Sequence, residues 1–259
     1  LLNKYYDDFG FRSAVDSKIS SMLPEWLLIT LLTLLAGMAM PTGAVLARIE
    51  NLHPQWLEQE FRHSVLAFGG GALLAAIALV LVPEGSKEAS VWFVGFWFAS
   101  GGVCFMLLDM LLDRLQSSMS QLVAMLSDFF PEALALGAAF AGDQNAGILL
   151  ALIMTLQNLP EGFNAYRELV SSSDLSALKI ISMFFILALL GPVAGLSGYF
   201  FLSQHPTLIA GLMLFSAGGI LYLIFQDIAP QAKLTKRWGP PLGAVAGFLL
   251  GLVGHVLIH

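Results

Sequence analysis

Apolar residues run through this chain in stretches of about twenty, separated by short polar segments. Eight runs stand out, at about 26–47, 64–82, 91–112, 119–141, 147–166, 178–202, 207–229 and 241–258. As a helix, each is long enough to cross roughly 30 Å of hydrocarbon. A membrane β-barrel, the other way to satisfy backbone groups in lipid, needs strands of alternating polarity. LLITLLTLLAGMAM (27–40) does not alternate. The pattern predicts an all-α, polytopic transmembrane helix bundle of about eight spans. Residues 1–25 form a polar leader, too hydrophilic for a signal peptide, and 26–259 a single transmembrane domain. A start at Leu1 leaves a missing first segment open.

Composition agrees with the pattern. The chain is 57% hydrophobic and 12% charged, against about 25% charged in soluble domains. The connections are too short for a soluble domain, and no nucleic-acid partner is expected of a chain with net charge −6 held mostly in a lipid bilayer. Cys104 is the single cysteine, which excludes an intramolecular disulfide or a cysteine metal cluster. Arg48, Arg62, Arg114, Arg167, Lys179, Lys233, Lys236 and Arg237 fall on one side of the membrane. Lys4, Arg12, Lys18 and Lys87 fall on the other. The positive-inside rule then places both termini outside.

Spans four and five break the apolar pattern. SDFFPEALALGAAF (127–140) carries Asp128 and Glu132, and LQNLPEGFNAY (156–166) carries Glu161. An ionised carboxylate at the centre of a spanning helix costs about 2.5–3.5 kcal/mol. Between Arg114 and Arg167 there is no Lys, Arg or His to offset it. A proton or a bound cation is therefore expected. Asp128 and Glu132 lie four residues apart, as do Gln157 and Glu161, so each pair shares a helix face. Asn158 flanks the second pair. Pro131 and Pro160 each free a carbonyl one turn earlier, near Ser127 and Leu156. Such carbonyls in broken membrane helices bind cations. As kinks and helix glue alone, two aligned Pro-Glu turns would be a coincidence. A metal-free proton relay gives no use for Gln157 and Asn158.

QNLPEG (157–162) resembles the fifth-helix motif of the Zrt/Irt-like (ZIP) family of divalent metal transporters, bacterial branch. That branch carries His-Asn-x-Pro-Glu-Gly about 30 residues earlier, where this chain has SDFFPEA (127–133). GGGALLAAIALVLVPEG (69–85), LLDRL (111–115) and SAGGILYLIFQDIAPQ (216–231) resemble the second, third and seventh helices in order. The resemblance implies an eight-span fold with both termini outside. It also implies a primary metal site of Glu132, Gln157 and Glu161, with Ser127 in place of the family's His. An adjoining second site would use Asp128 and Asn158, bridged by Glu132 and Glu161. Its sixth-helix Glu is replaced by Gly191 in LALLGPVAG (187–195), and the seventh-helix His-Glu by Gln226 and Asp227. The remaining donors are all oxygen, which suits harder ions; imidazole suits Zn, Cu and Fe. A single-metal site leaning toward Mn²⁺, with Fe²⁺ and Zn²⁺ admitted, is expected.

Other polar positions are weighed against ordinary solvation. Glu84 is placed to collect cations at the outer mouth, or simply to be solvated at a helix end. Asp109 and Asp227, with Gln226, are candidates for the exit path, whereas Asp113 is expected to pair with Arg114. His53, His63, His205, His255 and His259 lie at or near span ends and carry no ligand signal, and RLQSSMS (114–120) lacks the family's His-rich loop. The aromatic run VWFVGFWF (91–98) is expected near the outer interface.

The chain is thus expected to import divalent metal cations of the Mn/Fe/Zn class as a transporter in a bacterial inner membrane. It is not expected to be an enzyme: no His-Glu-x-x-His helix, and no Ser–His or Cys–His pair, accompanies the acids. The alternative is a relative that has lost transport through the changes at Ser127 and Gly191, leaving a structural or metal-sensing role. The oligomeric state stays open, a homodimer included.

Overall fold

The computed structural model describes residues 23–49, 55–115, 120–140, 144–233 and 237–258. Most of the polar leader, His53, Lys236 and His259 lie outside the described residues. Among the described residues, eight helical segments follow in chain order. They are α1 (Glu25–Ile49), α2 (Gln55–Ala76, continued by Ile77–Leu81 and Val82–Ser86) and α3 (Val91–Leu115), then α4 (Ser120–Phe140) and α5 (Gln144–Ser172). After these come α6 (Ala177–Ala188, Leu190–Ser197 and Gly198–Leu202), α7 (Pro206–Leu223, Ile224–Ile228 and Ala229–Ala232) and α8 (Gly239–Ile258). Among the described residues, seven helices are long and apolar enough to cross a membrane. The remaining span, α4, is a 21-residue helix packed among them. The protein is an all-α, polytopic helix bundle.

Proline shapes several spans. Pro83 and Pro230 each follow a widened π-helical stretch, Ile77–Leu81 and Ile224–Ile228. A proline cannot donate to the carbonyl four residues back and its ring collides with it, and a π bulge relieves both demands. In α6, Pro192 leaves the Ala188 carbonyl without its helical donor, and the helix breaks at Leu189. Gly37 of α1 packs against that break: a Cβ there would lie 2.7 Å from Ala188 O.

The spans sort into two groups by packing. α1, α4, α5 and α6 pack chiefly on one another, as do α2, α3, α7 and α8. In the first group Gly43 and Gly162 let the α1 and α5 backbones touch, since a Cβ on either would strike Leu159 O or Met40 O. In the second, Gly71 and Gly247 do the same for α2 and α8. Small residues at such crossings are the usual basis of helix association in lipid, where apolar burial gives little net drive. The groups meet mainly where α5 crosses α2 and where α4 crosses α7.

α5 and α2 outrun their predicted limits the most. α5 extends to Ser172 rather than 166, and α2 begins before residue 64. In both, the added turns are polar (RELVSS in α5, QWLEQEFRH in α2) and reach past the apolar run as regular helix. Val91 and Trp92, at the start of α3, are more than four-fifths exposed.

Candidate metal centre

Spans α4 and α5 bring Glu132 and Gln157 together. Both are fully buried, and Gln157 Nε2 donates to Glu132 Oε2 at 2.7 Å. That bond fixes the orientation of the amide, leaving Gln157 Oε1 buried without a hydrogen-bond partner. An unsatisfied acceptor costs about 1–3 kcal/mol, so an oxygen left in this state beside a carboxylate suits a cation. Glu161 lies one turn beyond Gln157 on the same face of α5, about 6 Å along the axis. Glu132, Gln157 and Glu161 thus form a continuous polar line from the core outward.

Glu161 opens onto a vestibule. A cavity of about 90 Å³ is lined by Glu161, Asn164 and Glu168 of α5 and by Asp227 and Gln231 of α7, with Gly69, Pro160 and Ile228 among its walls. It lies toward the end of the bundle where Arg62, Arg167 and Lys233 sit. On the other side of Glu132 the helices close over apolar side chains: Leu136, Leu149, Leu150 and Ile153 are fully buried and Phe140 nearly so.

The remaining predicted positions fall into place around this line. Asn158 is buried, and its Nδ2 donates to Ala36 O of α1 at 2.9 Å, which ties α5 to α1 across the Gly43–Gly162 contact. Ser127 donates to Val123 O at 2.7 Å. It stands five residues before Glu132, whereas the family's His stands four before its Glu; one residue turns the helix by about 100°. The position matching Gln157 is therefore Asp128, whose side chain lies outside those described. The position matching Asn158 is then Phe129. Phe129 is fully buried, and its Cζ would lie 2.9 Å from a Cβ on Gly191. An aromatic ring and a glycine thus pack together where the family pattern would place an amide and a carboxylate. Among the described residues, no three His, Cys, Asp or Glu come close enough to hold a metal ion between them.

The predicted path residues separate. Asp227 lines the vestibule, but Gln226 is exposed and lines a shallow pocket with Tyr222 and Phe225. Asp109 accepts a hydrogen bond from Tyr222 Oη at 2.8 Å and is not part of the vestibule wall. Glu84 pairs with Lys87 at 3.4 Å beside a pocket that also holds Glu88 and Thr207. The expected Asp113–Arg114 pair is not formed; both side chains are exposed and no ion pair joins them. His63 Nδ1 donates to Gln59 O within α2, His205 caps α7, and His255 is half-buried in α8. Asn164, Glu168 and Gln231 are additions that the sequence reading missed. Their signal was available, for Glu161, Asn164 and Glu168 follow the i, i+3, i+7 spacing of one helix face.

One curated protein joins these observations. The zinc transporter ZupT of Chlorobium limicola is 24% identical over 261 residues, an alignment covering 85% of this chain and 92% of that protein. With the Pro-Glu turns of α4 and α5 in place, the resemblance read from the motifs holds along the chain. The chain is a polytopic helical membrane protein similar over most of its length to that transporter. No family model matches it. Set against the motifs it resembles, the chain departs at Asp128, Phe129 and Gly191, within or facing α4, while QNLPEG on α5 is intact.

Proposed function

We propose that this protein imports divalent metal cations through the line Glu132–Gln157–Glu161. The observation that carries the reading is the buried Glu132–Gln157 pair with its spare amide oxygen. Two carboxylates and an amide oxygen, with Asp128 supplying a third carboxylate from α4, make an all-oxygen set for one ion. The neighbouring centre is filled by Phe129 and Gly191. From this set the ion descends along α5 into the vestibule, where Glu168 and Asp227 replace its ligands before release on the side rich in Lys and Arg. That side is the cytoplasm by the positive-inside rule, and the membrane is a bacterial inner membrane. The apolar packing beyond Glu132 supports reading this arrangement as inward-facing.

The named relative transports zinc, which favours Zn²⁺ as cargo. The donor chemistry favours harder ions, and Mn²⁺ most of all, with Fe²⁺ between. Uptake of radioactive Zn²⁺ and Mn²⁺ into proteoliposomes, each competed by the other, decides both questions. Flux is expected to fall to the empty-vesicle level in the Glu132→Ala/Glu161→Ala double variant. Flux in the parent protein no greater than in that variant returns the chain to a structural or sensing role.

A further inference from the structure

Where the two helix groups meet at α2 and α5, they touch in two ways. Deep in the bundle the ring of Pro160 lies against Gly69, where a Cβ would come within 2.9 Å of Pro160 Cγ. Gly69 has no side chain, so nothing interlocks there. About two turns earlier on α2, at the end of the bundle where Arg62 and Arg167 sit, Phe61 meets Phe163 edge to face. Their ring centroids are 6.3 Å apart and their planes stand at 78°. Phe163 is the fixed member. It is almost fully buried, a Cβ on Gly43 of α1 would lie 2.8 Å from its backbone nitrogen, and the Arg167 guanidinium sits 5.7 Å from its ring centroid. Phe61 is 44% exposed and has room to turn away. Both rings wall a groove of about 620 Å³ between α1, α2 and α5, and Pro160 walls that groove as well as the vestibule. The α2–α5 joint therefore divides the two spaces.

We propose that the Phe61–Phe163 pair is a clasp between the two helix groups, holding this arrangement against a second one. Aromatic pairs attract at centroid separations of about 4.5–7 Å, so a slip on the order of 1 Å between α2 and α5 takes this pair out of range. The glycine–proline contact deeper in the joint has no side chain to unlock and acts as the pivot. A pair of this geometry biases an equilibrium about two- to tenfold, which suits a clasp that must open in every cycle. The clasp rests on the reading of the chain as a transporter with two arrangements. Its readout is a distance taken without metal, so the clasp and the uptake can fail separately.

Spin labels at Val170→Cys of α5 and Leu242→Cys of α8 place one reporter on each helix group, both at exposed positions. The full chain, with the exposed Cys104 removed as Cys104→Ser, is reconstituted in lipid without metal, and the label separation is measured by pulsed dipolar spectroscopy. One dominant and one minor separation are expected. Phe61→Ala, at a half-exposed position, should raise the minor population about two- to tenfold, and Phe61→Trp should keep the parent distribution. Phe163→Leu should act as Phe61→Ala does, and the two together should go no further, because each removes the same contact. A distribution unchanged by Phe61→Ala overturns the clasp, as do effects that simply add in the double variant. Metal flux with unchanged distances overturns the clasp and leaves transport standing.

Discussion

The two Pro-Glu turns, 131–132 on α4 and 160–161 on α5, are alike in sequence and unlike in surroundings. Glu132 is fully buried and held by Gln157, whereas Glu161 is half-buried as a residue, with its carboxylate oxygens out of solvent at the vestibule wall. The residues three before each Glu diverge further. Asn158 ties α5 to the α1 backbone, while Phe129 fills the space beside Gly191. One turn keeps the polar chemistry of a metal motif, and the other keeps its acid but surrounds it with packing. A repeated motif can thus keep its polar side chains in one copy and turn to packing in the other.

That contrast can be broken in graded steps. The largest effect is expected from Gln157→Ala, which removes the group orienting Glu132; apparent metal affinity should fall about 10–100-fold in a binding titration, as for other residues that orient ligands. Next comes Gly191→Ala, whose Cβ would lie 2.7 Å from Thr33 O. Overpacking of this kind costs about 1–3 kcal/mol, read as earlier unfolding in detergent, and Phe129→Leu in the same chain should recover part of it. Asn158→Leu deletes the bond to Ala36 O and should cost about 0.6–1.7 kcal/mol, the range for helix–helix hydrogen bonds in lipid. An affinity loss for Asn158→Leu as large as that for Gln157→Ala would return Asn158 to the metal. Smallest of all, Ser127→Ala should leave metal affinity unchanged in the same titration, because its hydroxyl serves Val123 O.

The spans were legible in the sequence because an uninterrupted apolar run has few alternatives once it reaches membrane length. Glu132, Gln157 and Glu161 were legible because acids without nearby bases stand out in such runs. The vestibule was not. Glu168 follows Arg167 at what looked like the end of a span, and only the continuation of α5 to Ser172 brings its exposed side chain to the vestibule wall with Asp227. Asp109 and Gln226 were legible only as polar residues near a span end: Tyr222 donates to Asp109, and Gln226, in the same π-helical turn as Asp227, lines a different pocket. The place of Ser127 rested on the wording of a motif and missed a one-residue shift, which on a helix changes the face.

The ring of Phe129 over Gly191 also has an electrical consequence. With the neighbouring centre closed, each cycle of the proposed transporter carries a single divalent ion, hence two elementary charges. A potential of 100 mV then acts on that cargo with about 4.6 kcal/mol, at about 2.3 kcal/mol per charge. Voltage alone could therefore hold a gradient of more than a thousandfold.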